Sequence, residues 1–245
     1  MKKWNNILNK LRSTINKQGV DTFHILEEQI PIEEQMEYFT YFDDLRAQKT
    51  RFDVDTEMKY LFLPDVSIER RKRAITLLSS IPDVRAYRAL ETYHSSPLEP
   101  ELKNWASIAL LGSRIGLNSD LLGTPQVYIS SGLGGHDKKL RFFTLFISNT
   151  KEDFTNYQKE LIEREFRFQL EGAGVEIEKF DIESNYFSIV LLFPFKTDVR
   201  AVIQSAIEEC NELGNFIDDK FLFTNAKVFS EKEIQQLLDK DLKID

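Results

Sequence analysis

The hydrophobic periodicity of this chain changes near Gly123. Before that glycine, apolar residues recur at helical spacing, as in MEYFTYFDDL (36–45) and RRKRAITLLSSI (70–81). After Gly132, strand-like runs alternate with amphipathic helical segments. Because the two periods follow one another along one chain, we expect an α+β protein with an all-helical N-terminal domain and a mixed C-terminal domain.

The C-terminal half contains a specific order of elements. Its segments predict strand, helix, strand, strand, helix and strand, namely KLRFFTLFIS (139–148), TKEDFTNYQKELIEREFRFQLEGAG (150–174), VEIEKFDI (175–182), YFSIVLLFPF (186–195), TDVRAVIQSAIEECNELG (197–214) and KFLFTNAKVF (220–229). A short helix, SEKEIQQLLDK (230–240), follows them. This βαββαβ order resembles the ferredoxin-like plait, which implies a four-stranded antiparallel sheet with two helices on one face.

A weak repeat lies within the helical half. A basic residue followed by small and large apolar ones occurs at Arg71, Ala74, Leu77 and Leu78, and again 32 residues later at Lys103, Ala106, Ala109 and Leu110. The segment 68–116 that contains both resembles a HEAT-like helical repeat. Since solenoids usually need three or more repeats to bury a continuous core, a small helical bundle is the alternative. The expected domains are therefore a helical domain over 1–122, a Gly-rich connector over 123–138, and the plait with its C-terminal helix over 139–245.

Composition indicates a soluble protein of the reducing cytoplasm. With 245 residues, 42% of them hydrophobic, the chain is long enough for two cores. The N-terminal stretch MKKWNNILNKLRSTINKQG has no apolar signal-peptide region, and no segment is apolar enough to cross a membrane. Cys210 is the single cysteine, so a disulfide framework is excluded.

Charge argues against nucleic acid as a partner. The chain has a net charge of −8, and most of it lies in the C-terminal half. Residues 131–245 contain 15 Lys and Arg against 22 Asp and Glu, whereas residues 1–130 are nearly balanced. An acidic half repels phosphates, and the third predicted strand lacks the basic-Gly-aromatic motif of RNA-binding plaits. The charge of the N-terminal half leaves the question open there. The one strongly basic run, Arg70 to Arg73, is interpreted as a solvated helix face.

The loop SSGLGGHDKK (130–139) is glycine-rich but matches no phosphate-binding motif. It lacks the Gly-Lys-Ser/Thr ending of a P-loop, and it precedes a strand where a dinucleotide fingerprint would open a helix. We interpret it as a domain corner. The alternative is a contact with an anion or small ligand, made by Gly132, Gly134, Gly135, His136 and Lys138.

The two long strands are apolar on both faces, although crossover helices cover only one face of a plait. The other face must therefore pack on the helical half, on a second copy of the chain, or on a ligand or partner. The expected interface residues are Phe142, Phe146, Tyr186 and Val190, or the opposite set Phe143, Leu145, Ile189 and Leu191.

No pattern in the sequence indicates catalysis. His24, His94 and His136 are too far apart in the chain for a local metal motif, Cys210 lies on an apolar helix face, and no Gly-x-Ser-x-Gly elbow occurs. We expect no catalytic residue, metal or cofactor, and hence not an enzyme but an interaction or scaffold protein. Its partner would be a protein or a second copy of the chain, with neither nucleic acid nor membrane bound. A regulatory protein that senses a small molecule near the glycine loop is the alternative.

Overall fold

The computed structural model of the chain describes residues 23–49, 51–124, 126–194 and 197–239. The chain divides into two compact units, with the division between Ser130 and Ser131. Two segments discussed above lie outside the described residues. They are the N-terminal stretch MKKWNNILNKLRSTINKQG and Lys240, the last residue of the expected C-terminal helix. None of the helices in the described ranges is long and apolar enough to cross a membrane.

The helical unit contains five α-helices in its described part. They are α1 (Ile32–Ala47), α2 (Val54–Phe62), α3 (Ile68–Ser79), α4 (Val84–Ser95) and α5 (Lys103–Leu122), and one turn of 3-10 helix, Pro100–Leu102, precedes α5. Polar caps define several helix starts, as at Ser67, whose hydroxyl accepts the amide of Arg70, and Asp83, whose carboxylate accepts the amide of Ala86. Gly123, with φ of +63°, ends α5.

A short pair of strands interrupts the span in which only helices were expected. β1 (Phe23–Ile25) pairs in parallel with β2 (Val127–Ile129), which lies in the expected connector. Three residues are too few for an alternating pattern to be recognised. The partner strand lies at the far end of the unit's sequence, so neither strand could be predicted locally.

The core of the helical unit is organised around Trp105. Its ring meets that of Tyr38 edge to face with centroids 5.0 Å apart, and its Nε1 donates to Thr76 Oγ1 at 3.0 Å. The Tyr38 hydroxyl lies 2.8 Å from Ser79 Oγ. The buried polar groups at the junction of α1, α3 and α5 therefore have partners, as a buried core requires.

In its described part, the other unit contains one antiparallel sheet with three helices. Its elements are β3 (Gly135–His136), β4 (Lys139–Ser148), α6 (Asn156–Gly172), β5 (Glu176–Ile182), β6 (Tyr186–Pro194), α7 (Val199–Asn211), β7 (Ile217–Thr224) and α8 (Glu231–Asp239). Strands β4 and β6 are central, with β5 beside β6, and with β3 and β7 beside β4. The predicted helical segment starts at Thr197, but the residue that caps α7 is Asp198, whose carboxylate accepts the amides of Arg200 and Ala201.

Helices α6 and α7 belong to one face of this sheet. On that face Phe146 stacks on Phe187 at 4.5 Å between ring centroids, and both rings meet Phe166 of α6 edge to face at 5.0 Å. From α7, Ile203, Ile207 and Cys210 are fully buried. A stacked aromatic core of this kind fixes the helices against the sheet.

The second face is covered in part by the chain's own C-terminal segment. Phe143, Leu145 and Val190 cluster there with Ile234 of α8 and with Phe229. A helical domain or a second copy is therefore not needed to bury these residues. Part of the coverage that we expected from elsewhere is thus supplied by α8, and an interface on the rest of this face stays a prediction.

The expected interface set also does not share one face. Opposite residues of an antiparallel pair point to the same side, and the register pairs Phe146 with Phe187 and Ile147 with Tyr186. Phe142 and Phe146 therefore lie on the side of α6, whereas Tyr186 and Val190 lie on the side of α8. The opposite set, Phe143, Leu145, Ile189 and Leu191, is split in the same way. Register depends on pairing between distant strands, which the sequence pattern does not contain.

Candidate functional site

The glycine loop is shaped by close backbone packing. A Cβ atom built on Gly132 would lie 1.9 Å from the carbonyl oxygen of Ala226, and the amide of Leu133 donates to the carbonyl of Asn225 at 3.0 Å. Gly134 has φ of +64°, a conformation that favours glycine. These two glycines are thus explained by the path of the chain.

The rest of the loop forms a tight hairpin between β3 and β4. Asp137 and Lys138, the two residues between the strands, both have positive φ, 47° and 61°. Two left-handed residues in succession are typical of the two-residue turns that match the twist of a hairpin. His136 Nε2 lies 3.2 Å from Asp137 Oδ2, and both side chains are exposed. A ligand contact by His136 and Lys138 stays a prediction.

The other candidate residues are separate from one another. His24 Nε2 lies 3.3 Å from Gln126 Oε1, and His94 Nε2 lies 2.9 Å from Ser107 Oγ. Burial raises the pKa of the Cys210 thiol to about 12, with the negative charge of Glu165 adding to it. In the described ranges, no three His, Cys, Asp or Glu residues are arranged to hold a metal ion.

The basic run Arg70 to Arg73 is not a solvated face. The Arg71 side chain is fully buried, where its guanidinium forms an ion pair with Glu99 and donates to the carbonyl of Leu63. Arg70 makes two hydrogen bonds to the Glu57 carboxylate, of 2.7 and 2.8 Å. Helical spacing turns Arg71 inward, and the unit's own carboxylates neutralise both cations.

Lys72 is used within the unit as well. Its Nζ forms an ion pair with Glu37 at 2.8 Å and lies 4.4 Å from the centre of the Trp105 ring. A cation over an aromatic face is attracted by the ring quadrupole. Lys72 is therefore already engaged by an anionic and an aromatic partner.

A groove elsewhere in the helical unit has a different character. Its volume is about 440 Å³, and it lies between the C-terminal halves of α1 and α3. The lining residues are Phe42, Leu45 and Arg46 of α1, Lys49 and Phe52 in the loop after it, Thr76 and Leu77 of α3, and Ser80 just after α3. Two cations and two aromatic rings thus surround an apolar floor formed by the buried Leu45 and Leu77.

The spacing of these residues explains how they come together. Phe42, Leu45 and Arg46 follow one another at intervals of three residues and one, so they share one side of α1. Lys49, whose φ is +46°, lies in the loop just after the helix. The side chains of Arg46 and Lys49 are exposed. Within the described part of the chain, neither has an ion pair or a side-chain hydrogen bond. Both cations are therefore available to an anionic ligand.

The absence of carboxylates distinguishes this groove from two further cavities in the described residues. One of those, also in the helical unit, includes Glu34, Glu37 and Glu101 in its lining. The other, in the sheet unit, includes Asp181, Glu183 and Glu231. The eight residues of the α1–α3 groove carry two positive charges and no negative ones. Its lining is thus complementary to an anion.

The density of basic residues along the sequence does not reveal this groove, because it is highest at Arg70 to Arg73. The segment RAQKTR (46–51) carries three cations in six residues, fewer per residue than the run that was chosen. The signal that could have identified it is the flanking pair Phe42 and Phe52, since aromatic residues interleaved with cations are typical of nucleic-acid contacts.

Comparison with known proteins finds no sequence relative. No family model matches the chain, and no curated protein matches it. Among solved structures, a transposase candidate from Deinococcus radiodurans is similar to 44% of this chain and over 95% of its own length, with 11% identity and a TM-score of 0.37. A REP-associated tyrosine transposase bound to a REP hairpin is similar to 42% of this chain, with 12% identity and a TM-score of 0.32. The matched region covers 63% of that second protein.

These neighbours correct several expectations. One is a transposase candidate and the other is a transposase, whereas we expected a non-enzymatic interaction or scaffold protein, or a small-molecule sensor, with no nucleic-acid partner. The HEAT-like and protein-interaction descriptions are not supported either. The exclusion of nucleic acid rested on the acidic charge of residues 131–245 and on a motif missing from the third predicted strand, and neither describes the potential in a groove of the helical unit. At 11% and 12% identity, the likeness assigns neither the reaction nor the ligand of those proteins to this chain.

Proposed function

We propose that the helical unit binds a single strand of nucleic acid in the α1–α3 groove. The observation that carries this proposal is the lining itself, in which Arg46 and Lys49 have no counterion among the described residues and lie beside two aromatic rings. A cationic groove with aromatic side chains is the arrangement by which proteins bind single strands without reading their sequence.

The chemistry assigns a role to each type of side chain. The Arg46 guanidinium suits a phosphate because it offers several donors in one plane, and the Lys49 ammonium contributes a mobile charge. Phe42 is half-buried and stacks on Tyr38 with centroids 6.3 Å apart, so its position is fixed within the core. Phe52 is half-buried in the loop after α1 and supplies the second surface on which a base can stack.

The acidic remainder of the chain limits this contact. A net charge of −8 repels a polyanion at long range, so attraction is confined to the groove. With two phosphate contacts, the logarithm of the binding constant should fall with the logarithm of salt concentration with a slope of about −1.4. Weak, salt-sensitive binding of short strands is therefore expected.

Fluorescence anisotropy with labelled oligonucleotides tests this proposal. The chain should bind a single-stranded oligonucleotide more tightly than the duplex of the same sequence. R46A/K49A should reduce the salt slope by about 1.4, and Phe52→Ala should weaken binding by about tenfold. Because Arg46 lies in the last turn of α1, where a cation also interacts with the helix dipole, thermal unfolding must be measured for each variant.

The matched control keeps the same change of charge within the same unit. K59A/R114A removes one exposed lysine and one exposed arginine outside the groove and should leave both affinity and salt slope nearly unchanged. Equal losses in the two double variants would mean that binding is diffuse. Equal affinity for single strand and duplex would contradict the role of the aromatic rings.

We also propose that the sheet unit is a ferredoxin-like plait. The order β4, α6, β5, β6, α7, β7 and the central position of β4 and β6 support this assignment. The domain limits that we propose, 1–122, 123–138 and 139–245, contain the division at Ser130 and Ser131 within the connector. Limited proteolysis should then cut between Leu121 and Lys138, and cleavage first within α3 or β6 would contradict these limits.

A cytoplasmic location remains our proposal, supported by the single cysteine.

A further inference from the structure

The cavity on the second face of the sheet is separate from the proposed nucleic-acid groove. It has a volume of about 490 Å³ and lies between the sheet and the segment that leads into α8. Its apolar walls are the rings of Phe143, Tyr186 and Phe229, together with Val190 and Ile234. A cavity of this size accommodates a small organic molecule.

The polar lining of this cavity has an excess of negative charge. Lys179 and Asp181 neutralise each other, with 2.5 Å between Nζ and Oδ2. Glu183 and Glu231 form no ion pair with any described residue, and the remaining cation of the lining is Lys232. Burial raises the pKa of Tyr186, and the charges of Glu183, Glu231 and Asp181 raise it further. The potential at the phenol is therefore negative.

A serine hydroxyl opens onto the cavity. The Ser188 side chain lines the cavity from the centre of β6, and the residue is 7% exposed. Within the part of the chain that the structure describes, its hydroxyl has no hydrogen-bond partner. It is therefore available to a molecule that enters the cavity.

We propose that this cavity binds a small organic cation, with its ammonium group between Glu183 and Glu231 and its apolar body against the aromatic walls. Aromatic rings attract a cation through their quadrupole, and carboxylates provide the counter-charge. The Ser188 hydroxyl accepts a hydrogen bond from the ligand. The neutral analogue of such a ligand would fill the same space but would leave the carboxylates without a cation.

A pair of probes that differ in charge tests the proposal. Phenethylamine and 2-phenylethanol have similar size, but only the first is a cation at neutral pH. Titration of each into the full chain, followed by NMR or calorimetry, should show binding of the amine at millimolar concentration and at least tenfold weaker binding of the alcohol. E183Q/E231Q should weaken binding of the amine by about tenfold, which corresponds to the loss of about 1.4 kcal/mol.

Matched variants separate the site from general effects of charge and folding. E160Q/E208Q removes two exposed carboxylates from α6 and α7, outside the cavity, and should leave binding unchanged. Ser188→Ala should weaken binding while the thermal midpoint stays close to that of the parent. Three results would each overturn the proposal: no binding of the amine at millimolar concentration, equal binding of the alcohol, or equal effects of the two double variants.

Discussion

The α-carbon of Gly132 packs so closely on the backbone of Ala226 that a Cβ atom there would lie 1.9 Å from the Ala226 carbonyl oxygen. The neighbouring amide of Leu133 donates to the carbonyl of Asn225 at 3.0 Å, so two backbone segments contact each other directly. Because Gly132 lies just before β3 and Ala226 lies just after β7, this contact ties the entry of the sheet unit to its last strand.

Replacement of Gly132 by alanine should therefore destabilise the sheet unit. The new methyl group would meet backbone atoms that cannot rotate away, so we expect a loss of about 2 kcal/mol or more in the free energy of unfolding. Chemical denaturation monitored by circular dichroism measures this loss. The control is Gly112→Ala in α5, where no atom lies within 4 Å of the new Cβ and where alanine should stabilise the helix by about 0.5–1 kcal/mol. Equal stability of the two variants would contradict the close approach at Gly132.

The buried ion pair of Arg71 and Glu99 should be essential for the helical unit. Arg71→Met leaves the Glu99 carboxylate with the Tyr93 hydroxyl, which donates to it at 3.0 Å, but without its cation. The Glu99 side chain is 21% exposed and can be partly hydrated, so we expect a loss of about 1–3 kcal/mol, which thermal and urea unfolding should show. The matched variant Arg88→Met removes an arginine that is 69% exposed and should change stability by less than about 1 kcal/mol. A mild effect of Arg71→Met would mean that water replaces the guanidinium.

The C-terminal helix should be the cover of the second face of the sheet. Ile234 is buried against that face, so Ile234→Asp should detach α8 and expose Phe143, Leu145 and Val190. We expect stronger binding of a hydrophobic dye and faster proteolysis within residues 227–239. Gln236→Asp, at an exposed position of the same helix, is the control and should change neither. If Ile234→Asp also changed neither, another part of the molecule would have to cover the face.

The Cys210 thiol should be inert in the folded protein and should contribute to loss of stability at high pH. Burial raises its pKa to about 12, whereas a thiol in an unfolded chain ionises near pH 8.5. The unfolded state therefore releases this proton first, and the contribution is present below pH 8.5 and is lost as pH rises towards 12. The free energy of unfolding should depend on pH in the same way for the parent and for Cys210→Ala below pH 8. Above pH 9 the free energy of unfolding of the parent should fall faster, by up to about 1.4 kcal/mol per pH unit.

A thiol reagent provides a second measurement of the same property. At pH 8 the native protein should react slowly, at a rate set by unfolding, and the protein in denaturant should react at once. Rapid reaction of the native protein would contradict the burial of Cys210.

Local sequence signals predicted much of the element order. The run KLRFFTLFIS corresponds to β4 over the same ten residues, because it combines strand-forming residues with apolar character on both faces. The start of α6 is marked by Thr155 and Gln158, which form a capping box in the structure. Such features act over a few residues, so a single sequence contains them fully.

The sequence by itself thus determined the periods of the long helices and strands, because a period depends on the conformation of a few neighbouring residues. Tertiary structure alone decided strand register, and with it the separation of Phe146 from Tyr186 onto opposite faces. It also decided that Arg71 is buried against Glu99 while Arg46 and Lys49 remain without a counterion among the described residues. The neighbouring residues in the sequence do not distinguish Arg71 from Arg46. The free energy of a charge depends on the groups that surround it in space, and those groups come from distant parts of the chain.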